Sequence, residues 1–177
     1  MRSYAEKVAY TSALVCVAML LSYLESFLPV IPIPGFKPGL ANLAVMVAFY
    51  RLGAHYAASV SLIRIFLSSL LFGSPVSLVF SLAGGVLSFV TLLICNILLN
   101  RCVGLIGIGV LCAAAHCIGQ CIAASALYGA SLLLSYLPWL LLLSIATGML
   151  TGALSHAVLI RIKTVSRKHP RIHGQKD

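Results

Sequence analysis

The chain has 177 residues, 61% of them hydrophobic and 8% charged, with a mean hydropathy of +1.08 and a formal net charge of +9. That apolar excess lies far outside globular averages and excludes a water-soluble domain. The positive charge is not a nucleic-acid footprint either, because Arg161, Lys163, Arg167, Lys168, Arg171 and Lys176 all follow the last apolar run, as a membrane-flanking basic segment does.

In chain order, Arg2 and Lys7 precede an apolar run from Val8 to Leu28. Its length of about twenty residues is enough to cross a bilayer, so it reads as a first span rather than a cleaved signal. Four of the seven prolines then fall between Pro29 and Pro38, and the stretch PIPGFKPGLAN, Pro32 to Asn42, must be a loop.

The next run, Leu40 to Leu52, closes at Arg51 and Gly53. At 1.5 Å per residue it would extend roughly 20 Å against a hydrocarbon core of about 30 Å. Either its helix starts earlier, through Pro38, or the preceding loop dips into the outer half of the membrane. Irregular backbone at that depth requires protein or a water-filled cavity to satisfy it, so the loop is expected to cover a cavity.

Four further runs follow: Ala54 to Phe72, closed by Gly73-Ser74-Pro75; Val76 to Leu99, closed by Asn100 and Arg101; Val103 to Leu127, closed by Tyr128-Gly129; and Leu132 to Ile160. The expected fold is an all-α membrane protein, a bundle of six transmembrane helices with a Pro/Gly-rich outer loop between helices 1 and 2. Residues 1–163 form the membrane domain and 164–177 a disordered basic tail. Six crossings put both termini, Arg51 and Arg101 on the cytoplasmic face and leave Lys37 in an outer loop, as the positive-inside rule requires.

The six cysteines, Cys16, Cys95, Cys102, Cys112, Cys117 and Cys121, lie in apolar surroundings without CxxC pairs. They are expected to be small packing residues, neither a zinc site nor a disulfide framework.

Polar residues within the apolar runs are the candidates for function. Arg64 lies in the middle of its run, where an arginine costs about 2.5–3.5 kcal/mol on insertion scales. It is either a structural charge satisfied by helix-end carbonyls or Glu25, or a cation facing an internal site that meets an anionic or polar ligand group. His116 and Gln120 stand four residues apart on one helical face. The pair is a binding pair or a buried histidine bonded to a neighbouring helix, and ligand spacing for a metal is missing. By depth, Glu25, Lys37, Asn42, Arg64, His116 and Gln120 all fall at the centre or in the outer half, converging on one outward-facing binding site. Small residues occupy the inner halves: Ala5, Ala9 and Ala13, and Gly148 and Gly152. Such spacing lets helices approach closely, either within the monomer or against a docked partner subunit.

The segments LESFLPVIPIPGFKPGLAN, RIFLSSLLFGSPVSLVFSLAGG, AAAHCIGQ and LPWLLLLSIATGMLTGAL together resemble the membrane family of Gx transporters, also known as heptaprenyl diphosphate synthase component I. The resemblance spans about Val8 to Ile162. Where the family pattern reads Lys-Leu-Gly-Leu-Ala-Asn this chain has Lys37-Pro38-Gly39-Leu40-Ala41-Asn42, and His-Asn is replaced by His116-Cys117. The family is similar in turn to the substrate-binding S components of energy-coupling factor transporters. Those proteins present an AxxxA motif on helix 1 to a transmembrane coupling subunit driven by two ATPases, and Ala5, Ala9 and Ala13 suit that motif.

An enzymatic role conflicts with the composition. Prenyl diphosphate synthases hold magnesium and diphosphate with clustered aspartates, whereas this chain has three acidic residues, Glu6, Glu25 and Asp177. It also lacks a phosphate-cradling GxxxxGK[ST] stretch. The expectation is a substrate-binding subunit of a bacterial uptake transporter in the cytoplasmic membrane, contacting lipid and a small-molecule ligand, with no cofactor. The alternative is an accessory membrane subunit in isoprenoid or quinone metabolism.

Overall fold

A computed structural model of the chain describes residues 4–27, 37, 39–99 and 102–168, with the side chains of 130–136 and 163–168 outside that description. The described residues form six helices: α1 Tyr4–Ser26, α2 Asn42–Leu52, α3 Ala54–Phe72, α4 Pro75–Leu98, α5 Leu105–Tyr128 and α6 Ala130–Lys168. Five of these include a stretch long and apolar enough to cross a membrane; α2 does not.

Local chemistry explains the boundaries. Gly53 separates α2 from α3 with φ of +104°, a conformation that glycine adopts without a Cβ penalty. Its N–H bonds the carbonyls of Ala48 and Phe49. Ser74 caps α4, its hydroxyl accepting from the Ser77 N–H at 3.2 Å, and Pro75 supplies the preset first turn. Gly129, φ +91°, ends α5. The last helix runs to Lys168, past the boundary expected at 163, and residues 169–177 of the expected tail lie outside the described residues.

Polarity is distributed as a membrane demands. Leu62, Phe66, Leu70, Val86, Ile94 and Ile97 point outward and are exposed, while Ser61, Ser68, Ser81 and Ser88 on the same helices are buried. Large apolar side chains cover the outside because lipid is the solvent there, and polar groups turn inward to find partners. The protein is a multi-pass membrane protein.

Short α2 lies at the centre of this arrangement. Ala44, Val45 and Ala48 pack with Ala18 of α1 and Ala57 and Val60 of α3, and Met46 packs with Leu92 and Cys95 of α4 and Ile108 and Cys112 of α5. Its eleven residues extend only about 17 Å. Gly39, Leu40 and Ala41 accept from the N–H groups of Asn42, Leu43 and Ala44 at 3.0, 3.0 and 3.3 Å, and Lys37, Gly39 and Ala41 are buried. Residues 28–36 and 38 of the loop lie outside the described residues.

Small residues govern the α5–α6 contact. A Cβ added to Gly109 would lie 2.5 Å from the Gly148 carbonyl oxygen, and one on Gly152 would lie 2.6 Å from the Cα of Ile106. Gly148 and Gly152 therefore do not offer a docking surface for another subunit, because they are used up inside the monomer, where only glycine permits this backbone approach. Four cysteines, Cys95, Cys112, Cys117 and Cys121, also pack inside; Cys16 and Cys102 are exposed and do not.

Candidate functional site

Helices α1 to α5 each contribute one or two polar side chains at the level where α2 begins. On α3, Ala57, Val60, Ser61, Arg64, Ile65 and Ser68 make the buried stripe at three- and four-residue spacing, which turns Arg64 inward. On α4, Ser81, Gly84 and Ser88 share a buried face. On α5, His116 and Gln120 lie one turn apart, with exposures of 2% and 0%. Glu25 occupies the last turn of α1 and is also buried.

The hydrogen bonds join these groups into two chains. The Arg64 guanidinium donates through Nη2 to Asn42 Oδ1 at 2.9 Å, and Asn42 Nδ2 donates to Ser88 Oγ at 3.3 Å. Separately, the Lys37 backbone N–H reaches Gln120 Oε1 at 3.4 Å, and Gln120 Nε2 lies 2.8 Å from His116 Nε2. Because the glutamine oxygen accepts from Lys37, its amide nitrogen must donate. Nε2 of His116 is the ring atom that faces this amide.

Two glycines make room for this histidine. A Cβ on Gly84 would come within 2.8 Å of His116 Cε1 and 2.9 Å of Nδ1, so the ring lies against bare α4 backbone. From the other side Gly39, φ +89°, approaches so closely that a Cβ would lie 3.2 Å from both His116 Cδ2 and Asn42 Nδ2. Loop and ring are in contact.

Charge is the unusual feature. Glu25, Lys37 and Arg64 are exposed by only 1%, 7% and 3%, and their charges act on one another through space. The carboxylate is satisfied on one side by the Leu40 backbone N–H, which Glu25 Oε1 accepts. Glu25 Oε2, Lys37 Nζ and Arg64 Nε have no hydrogen-bond partner among the described residues. Uncompensated buried charge costs several kcal/mol per ion. Counted formally, the site holds two basic side chains and one acidic one, each with an atom that has no partner among the described residues.

The structure thus brings Glu25, Lys37, Asn42, Arg64, His116 and Gln120 together with Gly39 of the loop, and adds two participants that the sequence does not single out, Ser88 and Gly84. Serine and glycine at helical spacing in FSLAGGVLSF were the available signal. Ala5, Ala9 and Ala13 stand apart, on an exposed face of α1.

The family model for heptaprenyl diphosphate synthase component I matches residues 14–158, and the chain belongs to that family. No curated protein and no solved structure matches the chain.

Proposed function

We propose that this chain is the ligand-binding membrane subunit of a bacterial uptake transporter of the energy-coupling factor type, and that its ligand is a small anionic or amphipathic molecule. One observation carries the reading: Lys37 and Arg64 are buried with unused donors and outnumber the Glu25 carboxylate, an arrangement that an anion would complete. Asn42, His116 and Gln120 supply neutral polar contacts around them. The loop at Gly39 closes over the histidine, its proline-restricted backbone losing less entropy when it closes on a ligand.

Transport would need partners. The exposed Ala5, Ala9 and Ala13 suit close approach of a coupling subunit helix, with energy supplied by two ATPases. In this reading residues 1–163 sit in the bacterial cytoplasmic membrane as six crossings, the loop and α2 together making the second, and both termini are cytoplasmic.

The family match favours a second reading, an accessory membrane subunit that works with a catalytic prenyltransferase component in isoprenoid or quinone metabolism. Only three acidic residues are present, too few for the aspartate clusters of such a catalyst. Co-purification of the tagged chain from its native membrane separates the two. Coupling-factor ATPases in the complex support transport, and a soluble aspartate-rich prenyltransferase supports the accessory role.

A further inference from the structure

Acidic and basic groups are buried at the start of α2 without being paired. On α1 the buried stripe is Ala18, Ser22 and Glu25. Its last two members are each 1% exposed and carry atoms with no partner among the described residues, Ser22 Oγ and Glu25 Oε2. Their chemical complement lies on the loop and on α3, where the unpartnered atoms are the donors Lys37 Nζ and Arg64 Nε.

One turn brings the two sets together. The Leu40 N–H donates to Glu25 Oε1, and two residues further on the Asn42 side chain accepts from Arg64 Nη2 at 2.9 Å. Two Cα steps of about 3.8 Å separate these anchors by at most about 8 Å. Lys37 lies three residues before Leu40, and its backbone N–H is tied to Gln120 Oε1. Opposite charges held this close in a low-dielectric interior attract strongly, and an arginine takes a carboxylate with two parallel bonds where it can. Here Glu25 is held by backbone and Arg64 by an amide oxygen, and the free Oε2, Nε and Nζ do not bond one another.

A plain anion would answer only half of this arrangement. It would accept from Lys37 and Arg64, and it would also set a second negative group beside Glu25 Oε2. A ligand with an N–H donor next to its anionic group removes that conflict, because the donor meets the acceptors on α1.

We propose that the ligand of this site is an amino-substituted carboxylate of the α-amino-acid type, its carboxylate on Lys37 and Arg64 and its ammonium on Glu25 and Ser22. The assignment rests on the anion-binding reading of the site and narrows it to a substrate class. The short separation of the Leu40 and Asn42 anchors requires the two ligand groups to sit on neighbouring atoms, and an N–H on the ligand cation is needed to bond Oε2.

Equilibrium binding to the full chain in lipid nanodiscs can be measured with labelled leucine, its des-amino analogue isocaproate and its des-carboxy analogue isoamylamine. Leucine should bind saturably, and isocaproate about tenfold more weakly, the worth of one charge-assisted hydrogen bond. Glu25→Gln, which keeps an acceptor for the Leu40 N–H, should weaken leucine by about tenfold and leave isocaproate as tight or tighter. If Glu25→Gln does not fold, Ser22→Ala serves, weakening leucine several-fold and isocaproate not at all. Arg64→Ala should weaken both acids. Isocaproate binding as tightly as leucine, or Glu25→Gln weakening the two acids alike, overturns the amino-acid assignment and leaves the anion reading standing. Failure of all three probes to bind also overturns that assignment alone. Binding of isoamylamine without either acid, or leucine affinity unchanged in Arg64→Ala, overturns the anion reading as well.

Discussion

Arg64 and Asn42 meet at 2.9 Å, the guanidinium donating to the amide oxygen at the point where α2 begins. That bond holds the arginine while leaving Nε unused. Asn42 thus positions the cation and, through Ser88, ties it to α4.

Replacing Asn42 with alanine removes an acceptor from Arg64 and a donor from Ser88 and leaves both buried. The expected cost is about 1–3 kcal/mol of stability, read as a lower unfolding midpoint in detergent. Asn42→Asp, which keeps the acceptor, should recover part of it.

Gly39→Ala and Gly84→Ala test the contact of loop and helix with His116. The first forces a Cβ onto a φ of +89° and the second drives one to 2.8 Å from the ring. Each should destabilise by roughly 1–3 kcal/mol. Gly53→Ala, where nothing lies within 4 Å of the added Cβ, should cost only the backbone strain of φ > 0, about 1 kcal/mol.

Two small-residue stripes should respond differently to enlargement. Ala9→Leu and Ala13→Leu lie on an exposed face and should leave the isolated chain as stable as the parent while reducing co-purification with a partner subunit. Gly148→Leu and Gly152→Leu should lower the unfolding midpoint with no partner present, because the added atoms meet α5 backbone. Loss of stability in the alanine variants would assign that stripe to internal packing.

Sidedness follows from the crossing count. In single-cysteine variants, positions 101 and 168 should react only with probes added from inside. Position 37 should react from outside, and slowly, because Lys37 is 7% exposed. Reaction of position 101 from outside would contradict six crossings.

Much of the helix layout was legible in the sequence because glycine and proline interrupt the apolar runs. The expected Ala54 to Phe72 matches α3, and Val76 to Leu99 differs from α4 by one residue at each end. The shortness of the second run was also visible, and the structure gives its reason: α2 is enclosed by other helices, so protein rather than length satisfies it. Convergence of Glu25, Arg64 and His116 could be read from depth along their helices. Their partners could not. Glu25 takes a backbone N–H rather than Arg64, a choice set by where the loop lies. Ser88 and Gly84 sit in an apolar run where small residues look like packing. Gly148 and Gly152 advertise close approach without saying which helix is across, and tertiary packing selects α5.

The central claim is that Arg64 is kept buried for an anionic ligand. Equilibrium binding of labelled prenyl diphosphates and of labelled anionic vitamin-like solutes to the purified chain, parent against Arg64→Ala, tests it most directly, with thermal unfolding measured on both. One anion class should bind saturably to the parent, and Arg64→Ala should weaken it by about 1.5–3 kcal/mol, the worth of a hydrogen bond to a charged group, while remaining folded. Unfolding of Arg64→Ala, or affinity equal to the parent's, would make the arginine a structural charge and contradict the claim.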